Sequence, residues 1–265
     1  MRFSVEILEL ALFMSRYKPY SLACPPYEVT SGGIRVMYAL QSWLEIKGQI
    51  ALMNTTFDVP FVGIYPEIYH GNDLGASRVV RYLLNKPGVM AGYGIPGPTQ
   101  FDPTDDIYVF SKIYDTFGVD SDHLLFCPVI NLHVFKDYKR KRTKTCYLVG
   151  KGTNANQHPK DSIELTRFFS NDQGSLADLL NECSVIYGYD PLSAMYDIAR
   201  LCGCEVRYLG DRSREELAEY ELGIEGIDFG SGTALNSDSF RDMYLKLRED
   251  FSTKIDTFIE STQHD

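Results

Sequence analysis

Short apolar runs alternate with amphipathic stretches along most of the chain. Val62–Tyr65 and Val185–Tyr187 are continuous apolar runs of strand length. Ile34–Lys47 instead carries its apolar residues at helical spacing, and Gly48 follows as a stop signal. The alternation of strands and helices predicts an α/β protein with parallel sheets. Further strands are predicted at 21–24, 50–53, 107–110, 145–149 and 205–209, and further helices at 77–84, 175–183, 194–201 and 240–259.

A basic segment divides the chain near its middle. Six of the nine residues in Lys136–Lys144 are lysine or arginine, which predicts a solvated connector between two halves. We therefore expect a first domain over 1–135, a second over 136–239, and a C-terminal helix over 240–265 that crosses back to the first domain. An anionic membrane is an alternative partner for the basic segment.

The amino terminus contains an apolar run from Ile7 to Met14, interrupted by Glu9. No small-residue cleavage site follows, so 1–14 is predicted to be a docked helix and not a signal peptide. No segment of the sequence has the ~20 apolar residues of a membrane span. The expected location is the cytoplasm, with peripheral contact at the inner face of the membrane as an option.

The most informative segment of the sequence runs from Glu182 to Asp211 and has the pattern strand, polar turn, helix, strand. Tyr189, Asp190 and Ser193 fall in the turn at the carboxyl end of the strand, and either Asp190 or Ser193 is suited to cap the helix. Open parallel sheets bind ligands at this edge, and free amides of a helix start favour phosphate. A nucleotide is therefore expected here, beside the structural alternative of simple capping.

Two further loops of the second half carry candidate phosphate-binding residues. Gly150-Lys151-Gly152 follows a predicted strand, and a lysine there can neutralise a diphosphate. The glycine spacing of an ATP-binding Walker A loop is absent. His158 and Lys160, in the next loop, could also meet a phosphate. For each of these residues, a solvent-facing surface position is the structural alternative.

The first half offers a glycine pair and a candidate base. Ser31-Gly32-Gly33 opens the helix at 34–47, and Arg35 lies in its first turn, where it could meet an anion or face water. Glu67 follows the strand at 62–65 and could act as a general base. The alternatives for these positions are a tight turn and a hydrogen-bonded loop anchor. His70 and Asp58 are weaker candidates for the base.

Composition narrows the classes of function. The chain has 265 residues, 44% of them hydrophobic, and a net charge of −10, which argues against a general nucleic-acid binder. Six cysteines without a Cys-x-x-Cys pair predict buried free thiols. Asp102, Asp105 and Asp106 precede a strand and are expected to be solvated, so no metal is predicted. No Gly-x-Ser-x-Gly elbow is present.

Several segments together resemble GT-B-type glycosyltransferases, in particular small glycosyltransferase-like proteins of bacterial surface-polysaccharide (O-antigen and capsule) gene clusters. The matching segments are 31–36, 65–68 with 71–72, 78–88, 150–152, 160–163 and 189–204, which are spread over most of residues 20–211. The resemblance implies two Rossmann-like domains whose parallel sheets face each other across a cleft, with the C-terminal helix bracing the halves.

The resemblance also implies a role for each candidate residue. A nucleotide-sugar donor would be held by the second half and a saccharide or lipid-linked acceptor by the first. The implied reaction needs no metal and no cofactor, and Glu67 would be the base. Six residues separate Asp190 from Asp197, whereas seven residues often separate two glutamates in retaining members, and this difference favours inversion. The implied donor-binding residues are Lys151, Gly152, His158, Lys160, Tyr189, Asp190 and Ser193; the implied cleft residues are Gly32, Gly33, Arg35 and Asn72.

Two rival functions remain at this point. One is a non-catalytic nucleotide- or sugar-binding protein that keeps the same fold. The other is a different α/β enzyme, such as an epimerase or a dinucleotide-dependent oxidoreductase. The absence of a Gly-x-Gly-x-x-Gly fingerprint after the first strand argues against the second rival.

Overall fold

The computed structural model describes residues 17–28, 31–153, 155–166, 172–232 and 235–264. The helix predicted over 1–14 lies outside these residues. The chain divides into two compact units. The first contains the described residues within 1–27, 33–127 and 249–265, and the second contains those within 28–32 and 128–248. The roles of the two halves and the predicted boundary at 135 stay predictions.

The first unit is built on a five-stranded sheet in the order β2-β1-β3-β4-β5, in which every pairing is parallel. Between β1 and β2 the chain forms helix α1, Gly32–Ile46. The buried residues of this helix recur at helical spacing: Val36, Met37, Leu40 and Leu44. The central strand β3 is buried along its whole length, as expected of a parallel sheet. The strands are β1 Tyr20–Leu22, β2 Ala51–Met53, β3 Val62–Pro66, β4 Arg78–Leu83 and β5 Asp106–Val109.

The prediction of a helix at 77–84 is wrong, because Arg78–Leu83 forms strand β4. The spacing of three between Arg78 and Arg81 suggested a helical face. In the strand, each arginine instead pairs with an aspartate: Arg78 with Asp106, the first residue of β5, at 2.6 Å, and Arg81 with Asp105, just before β5, at 2.7 Å. The β-branched pair at 79–80 and the burial of the last four residues fit a central parallel strand.

The second unit has its own five-stranded parallel sheet, in the order β10-β9-β8-β6-β7. Helices α2 and α3 begin at side-chain caps, in which Asp172 accepts from the Ser175 amide and Ser193 accepts from the Met195 amide. The strands are β6 Lys144–Leu148, β7 Ile163–Glu164, β8 Cys183–Gly188, β9 Glu205–Tyr208 and β10 Ile227–Asp228, and the helices are α2 Gln173–Glu182, α3 Ala194–Leu201 and α4 Arg214–Ala218.

Taken in chain order, the strands of both sheets have the same arrangement: second, first, third, fourth, fifth. The prediction of an α/β protein with parallel sheets in both halves is therefore confirmed. Three short elements of the second unit, β7, α4 and β10, are not predicted from the sequence, because two to five residues do not establish a period.

The basic segment is only in part the solvated connector that was predicted. Arg142 is 19% exposed and donates to the carbonyls of Leu180, Cys183 and Cys202, the last residues of α2 and α3 and their neighbours. It also pairs with Asp137 at 2.8 Å. A guanidinium that satisfies carbonyls at two helix ends is an integral part of the second unit.

The chain ends in helix α5, Ser237–Gln263. Its residues up to Arg248 belong to the second unit, where the Arg200 guanidinium lies 4.1 Å from the Phe240 ring centroid. Its residues from Glu249 belong to the first unit, where Phe258 packs edge-on against Tyr108. Bracing of the two halves by this helix stays a prediction.

All six cysteines are buried and free, as the sequence predicted. In the part of the chain that the structure describes, no helix is long and apolar enough to cross a bilayer.

Candidate functional site

The strand order reverses at one point in the second sheet. The chain passes from β6 outward to β7 on one side and then returns to β8 on the other side. The carboxyl ends of β6 and β8 therefore border the place where open α/β sheets bind ligands. The loop Gly150–Gly152 follows β6 and the turn Tyr189–Ser193 follows β8. The structure thus brings together two of the segments that the sequence singled out.

Asp190 joins this loop to this turn. One carboxylate oxygen accepts from the Lys151 amide at 2.8 Å, and the other accepts from the Leu192 amide at 3.0 Å. The side chain is buried, with 6% of the residue exposed. A buried carboxylate that satisfies two amides fixes the geometry of the backbone around it. Asp190 therefore holds the loop at Gly150–Gly152 against the turn at Tyr189–Ser193.

The two glycines of the loop are required by the close approach of the turn. A Cβ at Gly150, which has a φ of +54°, would lie 2.0 Å from a carboxylate oxygen of Asp190. A Cβ at Gly152 would lie 2.1 Å from the Tyr189 carbonyl oxygen. Both distances are far below van der Waals contact, so any side chain would push the loop away from the turn.

The turn is also fixed from the side of helix α3. Ser193 caps the helix by accepting from the Met195 amide at 3.2 Å, as the sequence allowed. The Tyr196 hydroxyl donates to the Asp190 carbonyl at 2.7 Å. Burial raises the pKa of Tyr196 far above its ordinary value, so this hydroxyl stays a donor at every physiological pH.

His158 and Tyr189 contact each other, but they do so over the face of the sheet. Nδ1 of His158 lies 3.0 Å from the Tyr189 hydroxyl, which also accepts from the Gln157 amide at 2.8 Å. The imidazole stacks on the ring of Tyr147, a residue of β6, with centroids 3.8 Å apart. These contacts hold the β6–β7 connection against the sheet.

The two candidate lysines are at different places. Lys151 is exposed, within the loop at the carboxyl edge. Lys160 is exposed in a turn that leads into β7, and the Ser162 hydroxyl at the end of that turn lies 2.7 Å from the Thr145 hydroxyl, near the start of β6. This contact ties the end of the turn to the amino end of β6, so the structure does not bring Lys160 to the carboxyl edge.

In the first unit, Glu67 follows β3 directly and only 5% of it is exposed. Its carboxylate accepts from the Leu84 amide, just beyond β4, at 3.0 Å. The backbone at Gly97 packs closely against that of Glu67 and Ile68. The position matches the predicted loop anchor, and a role as base stays a prediction.

The predicted cleft residues have local surroundings of their own. Gly32 and Gly33 are the first residues of α1, and a Cβ at Gly32 would meet no atom within 4 Å. Gly32 groups with the second unit and Gly33 with the first. Arg35 is half-buried in the first turn of α1.

Asn72 organises a turn of the first unit. Its side-chain oxygen accepts from the Tyr65 hydroxyl at 2.7 Å and from the Ala76 amide at 2.9 Å. Its side-chain amide donates to the Ala76 carbonyl at 2.8 Å. Both weaker candidates for the base, Asp58 and His70, are exposed.

The acidic residues that lead into β5 are not simply solvated, because Asp105 and Asp106 form the ion pairs with Arg81 and Arg78. Asp102 accepts from the amide and the hydroxyl of Thr104, and these bonds lower the pKa of its carboxyl. Among the residues that the structure describes, no group of three or more His, Cys, Asp or Glu side chains is placed to hold a metal ion.

Sequence reasoning missed two features at the carboxyl edge of the second sheet. Arg212 follows β9, and its amide donates to the Tyr208 hydroxyl. Asp228 ends β10 and accepts from the amides of Gly230 and Gly232, both at 2.8 Å. A polar residue just after a strand was the available signal for Arg212. Strand β10 is too short to give Asp228 such a signal.

Asp228 remains charged although it is buried. Burial acts to raise the pKa of its carboxyl, but the amides of Gly230 and Gly232, with Arg207 beside them, outweigh that effect. The pKa of Asp228 is therefore lower than usual.

No protein-family model and no curated protein matches this chain. Among solved structures, a functionally uncharacterized protein of Klebsiella pneumoniae has 9% identity and a TM-score of 0.38, covering 81% of this chain and 92% of its own. The spinosyn forosaminyltransferase SpnP has 12% identity and a TM-score of 0.34, covering 91% and 93%. The glycosyltransferase SnogD of Streptomyces nogalater has 10% identity and a TM-score of 0.36, covering 89% and 95%. Because these scores are low, the likeness alone says nothing about the reaction of this chain.

Proposed function

We propose that the protein is a glycosyltransferase that takes a sugar from a nucleotide-sugar donor bound at the carboxyl edge of the second sheet. The observation that carries the proposal is the joining of Gly150–Gly152 to Tyr189–Ser193 by Asp190, at the reversal of strand order. The segment resemblance to GT-B-type glycosyltransferases gives the reaction class.

The chemistry of this edge suits a diphosphate. Lys151 stands in a loop whose glycines let the backbone approach closely, and Asp190 holds that loop in place through the Lys151 amide. A cation close to the developing charge stabilises a leaving diphosphate. The donor would be positioned by the second unit and the acceptor by the first.

In the proposed reaction, an acceptor hydroxyl attacks the anomeric carbon, the bond from that carbon to the diphosphate breaks, and a carboxylate takes the hydroxyl proton. Glu67 is the proposed base, with inversion at the anomeric carbon. Glu67→Gln should then lower turnover by about 10²- to 10⁴-fold while nucleotide affinity stays unchanged. A variant that retains full turnover would remove Glu67 from this role.

A second candidate function is supported by the burial of Glu67. With 5% exposure and a bond to the Leu84 amide, this carboxylate has the surroundings of a structural anchor. A non-catalytic nucleotide- or sugar-binding protein would keep the second-unit site and lack a base. It would bind a nucleotide and release no sugar from any donor.

The first experiment is a thermal-shift screen against UDP, GDP, dTDP, CDP and CMP, with and without magnesium. A rise in melting temperature with one nucleotide supports the site and names the donor class. Hydrolysis or transfer of the matching nucleotide sugar then separates the enzyme from the binding protein. If none of the nucleotides shifts the melting temperature, the proposed site is wrong.

Lys151→Ala tests the role of the lysine, with Lys141→Ala as the matched control. Both lysines are exposed, but Lys141 lies in the basic segment away from the loop. Calorimetry should show about tenfold or greater loss of nucleoside diphosphate affinity for Lys151→Ala, as expected for a lost bond to a charged group. Equal affinities of the two variants would contradict the assignment.

The pathway and location belong to the proposal as well: surface-polysaccharide synthesis in the cytoplasm, with a saccharide or lipid-linked acceptor. Membrane contact through the basic segment has less support, because several of its charges have acidic partners. Lys139 pairs with Asp137 and Asp238, and Lys144 pairs with Glu182. Sedimentation with anionic vesicles tests this contact.

A further inference from the structure

Arg212 lies beside the turn that forms one wall of the proposed donor site. It belongs to the short connection between β9 and α4. Its amide donates to the Tyr208 hydroxyl at 3.2 Å, and that hydroxyl donates to the Pro191 carbonyl at 3.1 Å. One buried tyrosine therefore ties the backbone of Arg212 to the residue that follows Asp190.

The guanidinium of Arg212 has hydrogen-bond donors that the described residues do not satisfy. It is 19% exposed, and its Nε is buried without a hydrogen-bond partner among the described residues. Its ion pair with Glu216 is long, with Nη1 3.9 Å from the nearer carboxylate oxygen. The other oxygen of Glu216 accepts from the Ser213 amide in the cap of α4. A buried donor without an acceptor is costly and calls for an explanation.

Two other arginines, Arg200, which is buried, and Arg142, which is as exposed as Arg212, contrast with this one. Arg200 also has an unbonded Nε, but its remaining nitrogens bind Asp197 and the carbonyls of Leu222, Gly223 and Glu225. Arg142 binds three carbonyls and Asp137. The guanidiniums of those two residues bind groups of the protein itself, whereas that of Arg212 keeps donors that a ligand can accept from.

We infer that Arg212 binds a phosphate group of the ligand at this edge, from the side of the turn opposite to Lys151. The inference rests on the proposed function and adds the residue that recognises the diphosphate. The Lys151 amide is bonded to Asp190, and the Arg212 amide is connected to Pro191 through Tyr208, so the backbones of two cationic residues are anchored to one turn. A guanidinium is suited to this role because its fork of donors matches two phosphate oxygens.

The test compares Arg212→Gln with Arg214→Gln, which removes an exposed arginine two residues further along, at the start of α4. Calorimetry measures the affinity for UDP, GDP, dTDP and CDP, for the matching nucleosides, and for inorganic pyrophosphate. Arg212→Gln should weaken binding of the preferred diphosphate and of pyrophosphate about 10- to 100-fold, as for a lost bond between charged groups. Nucleoside binding, and all binding by Arg214→Gln, should be unchanged.

The outcomes separate the inference from the proposed function. Unchanged diphosphate affinity in Arg212→Gln overturns the inference and leaves the function standing. Arg212-dependent binding of pyrophosphate without any nucleotide binding supports the inference and overturns the function. If neither pyrophosphate nor any nucleotide binds to the unmodified protein, both are overturned.

Arg212→Lys protects the test against a folding defect. It keeps the charge but cannot present two parallel donors, so it should bind the diphosphate with intermediate affinity. Should Arg212→Gln fail to fold, unchanged diphosphate affinity in Arg212→Lys overturns the inference.

Discussion

The two sheets have the same strand order but differ in how the loops at their carboxyl edges are tied together. In the second unit, Asp190 connects the loop after the first strand, β6, to the turn after the third, β8. In the first unit, Glu67 follows the third strand and binds the amide of Leu84, beyond the fourth. There the loop after the first strand is tied to the second, through two bonds between Asn54 and the backbone of Cys24.

This difference concerns the place where the strand order reverses, between the first and third strands. In the second unit, a buried carboxylate links the two loops that border this place, so the backbone is already arranged before a ligand binds. In the first unit, the carboxylate and amide bonds lie on the outer sides of the two corresponding strands. A common strand order therefore supports one edge suited to a fixed anion and another edge whose polar groups anchor its own loops.

Of the substitutions compared, Asp190→Ala should lower the unfolding free energy most. A smaller loss than that of Glu67→Ala would contradict the difference between the two edges. The change leaves the amides of Lys151 and Leu192 without acceptors and should lower the unfolding free energy by about 2–5 kcal/mol. Glu67→Ala removes the bond to the Leu84 amide and should cost about 1–3 kcal/mol. Urea unfolding measures both.

Nucleotide affinity provides the control for these two variants. It should be lost in folded Asp190→Ala protein and unchanged in Glu67→Ala. If Glu67→Ala weakens nucleotide binding as much as Asp190→Ala does, the two edges do not differ in the way described.

Gly152→Ala against Gly32→Ala should give the next largest difference. The new Cβ at 152 would lie 2.1 Å from the Tyr189 carbonyl oxygen, which is backbone and cannot move aside cheaply, so a loss of about 1–3 kcal/mol is expected. The Cβ at 32 would meet no atom within 4 Å at the start of a helix, so the effect should stay within about 0.5 kcal/mol. Thermal unfolding of both variants tests this. A similar loss in both would show that the close approach of loop and turn is not what requires glycine.

How much of this could be read from the sequence depended on the length of each element. The turn at 189–193 and helix α3 were predictable because a strand, a cap and a helical period follow one another within twenty residues. Strand β4 was mistaken for a helix because two arginines at a spacing of three outweighed the β-branched pair between them. Their acidic partners, Asp105 just before β5 and Asp106 at its start, are 24 and 28 residues away, and no local pattern reveals such pairs.

The candidate site was predictable in its location but not in its details. The rule that polar residues after parallel strands mark a ligand edge found Lys151 and Asp190. It could not show that Asp190 would point inward to two amides, or that the turn holding Lys160 would contact the amino end of β6. Arg212 satisfied the same rule, but its unbonded Nε is visible only in three dimensions.

Of the three carboxylate substitutions, Asp228→Asn should lower the unfolding free energy least, and the pH dependence of this loss tests whether a buried charge stabilises the edge of the second sheet. The folded-state pKa of Asp228 is lower than the value of about 3.9 expected in the unfolded chain. Its charge therefore stabilises the second unit above about pH 4, and this contribution is lost as pH falls through the folded-state pKa. The variant should be less stable by about 1 kcal/mol between pH 5 and 8, from weakened bonds to the Gly230 and Gly232 amides, and this deficit should shrink below pH 4. Urea unfolding across this range measures the deficit, and a deficit that stayed constant down to pH 2 would show that the charge of Asp228 does not stabilise this edge.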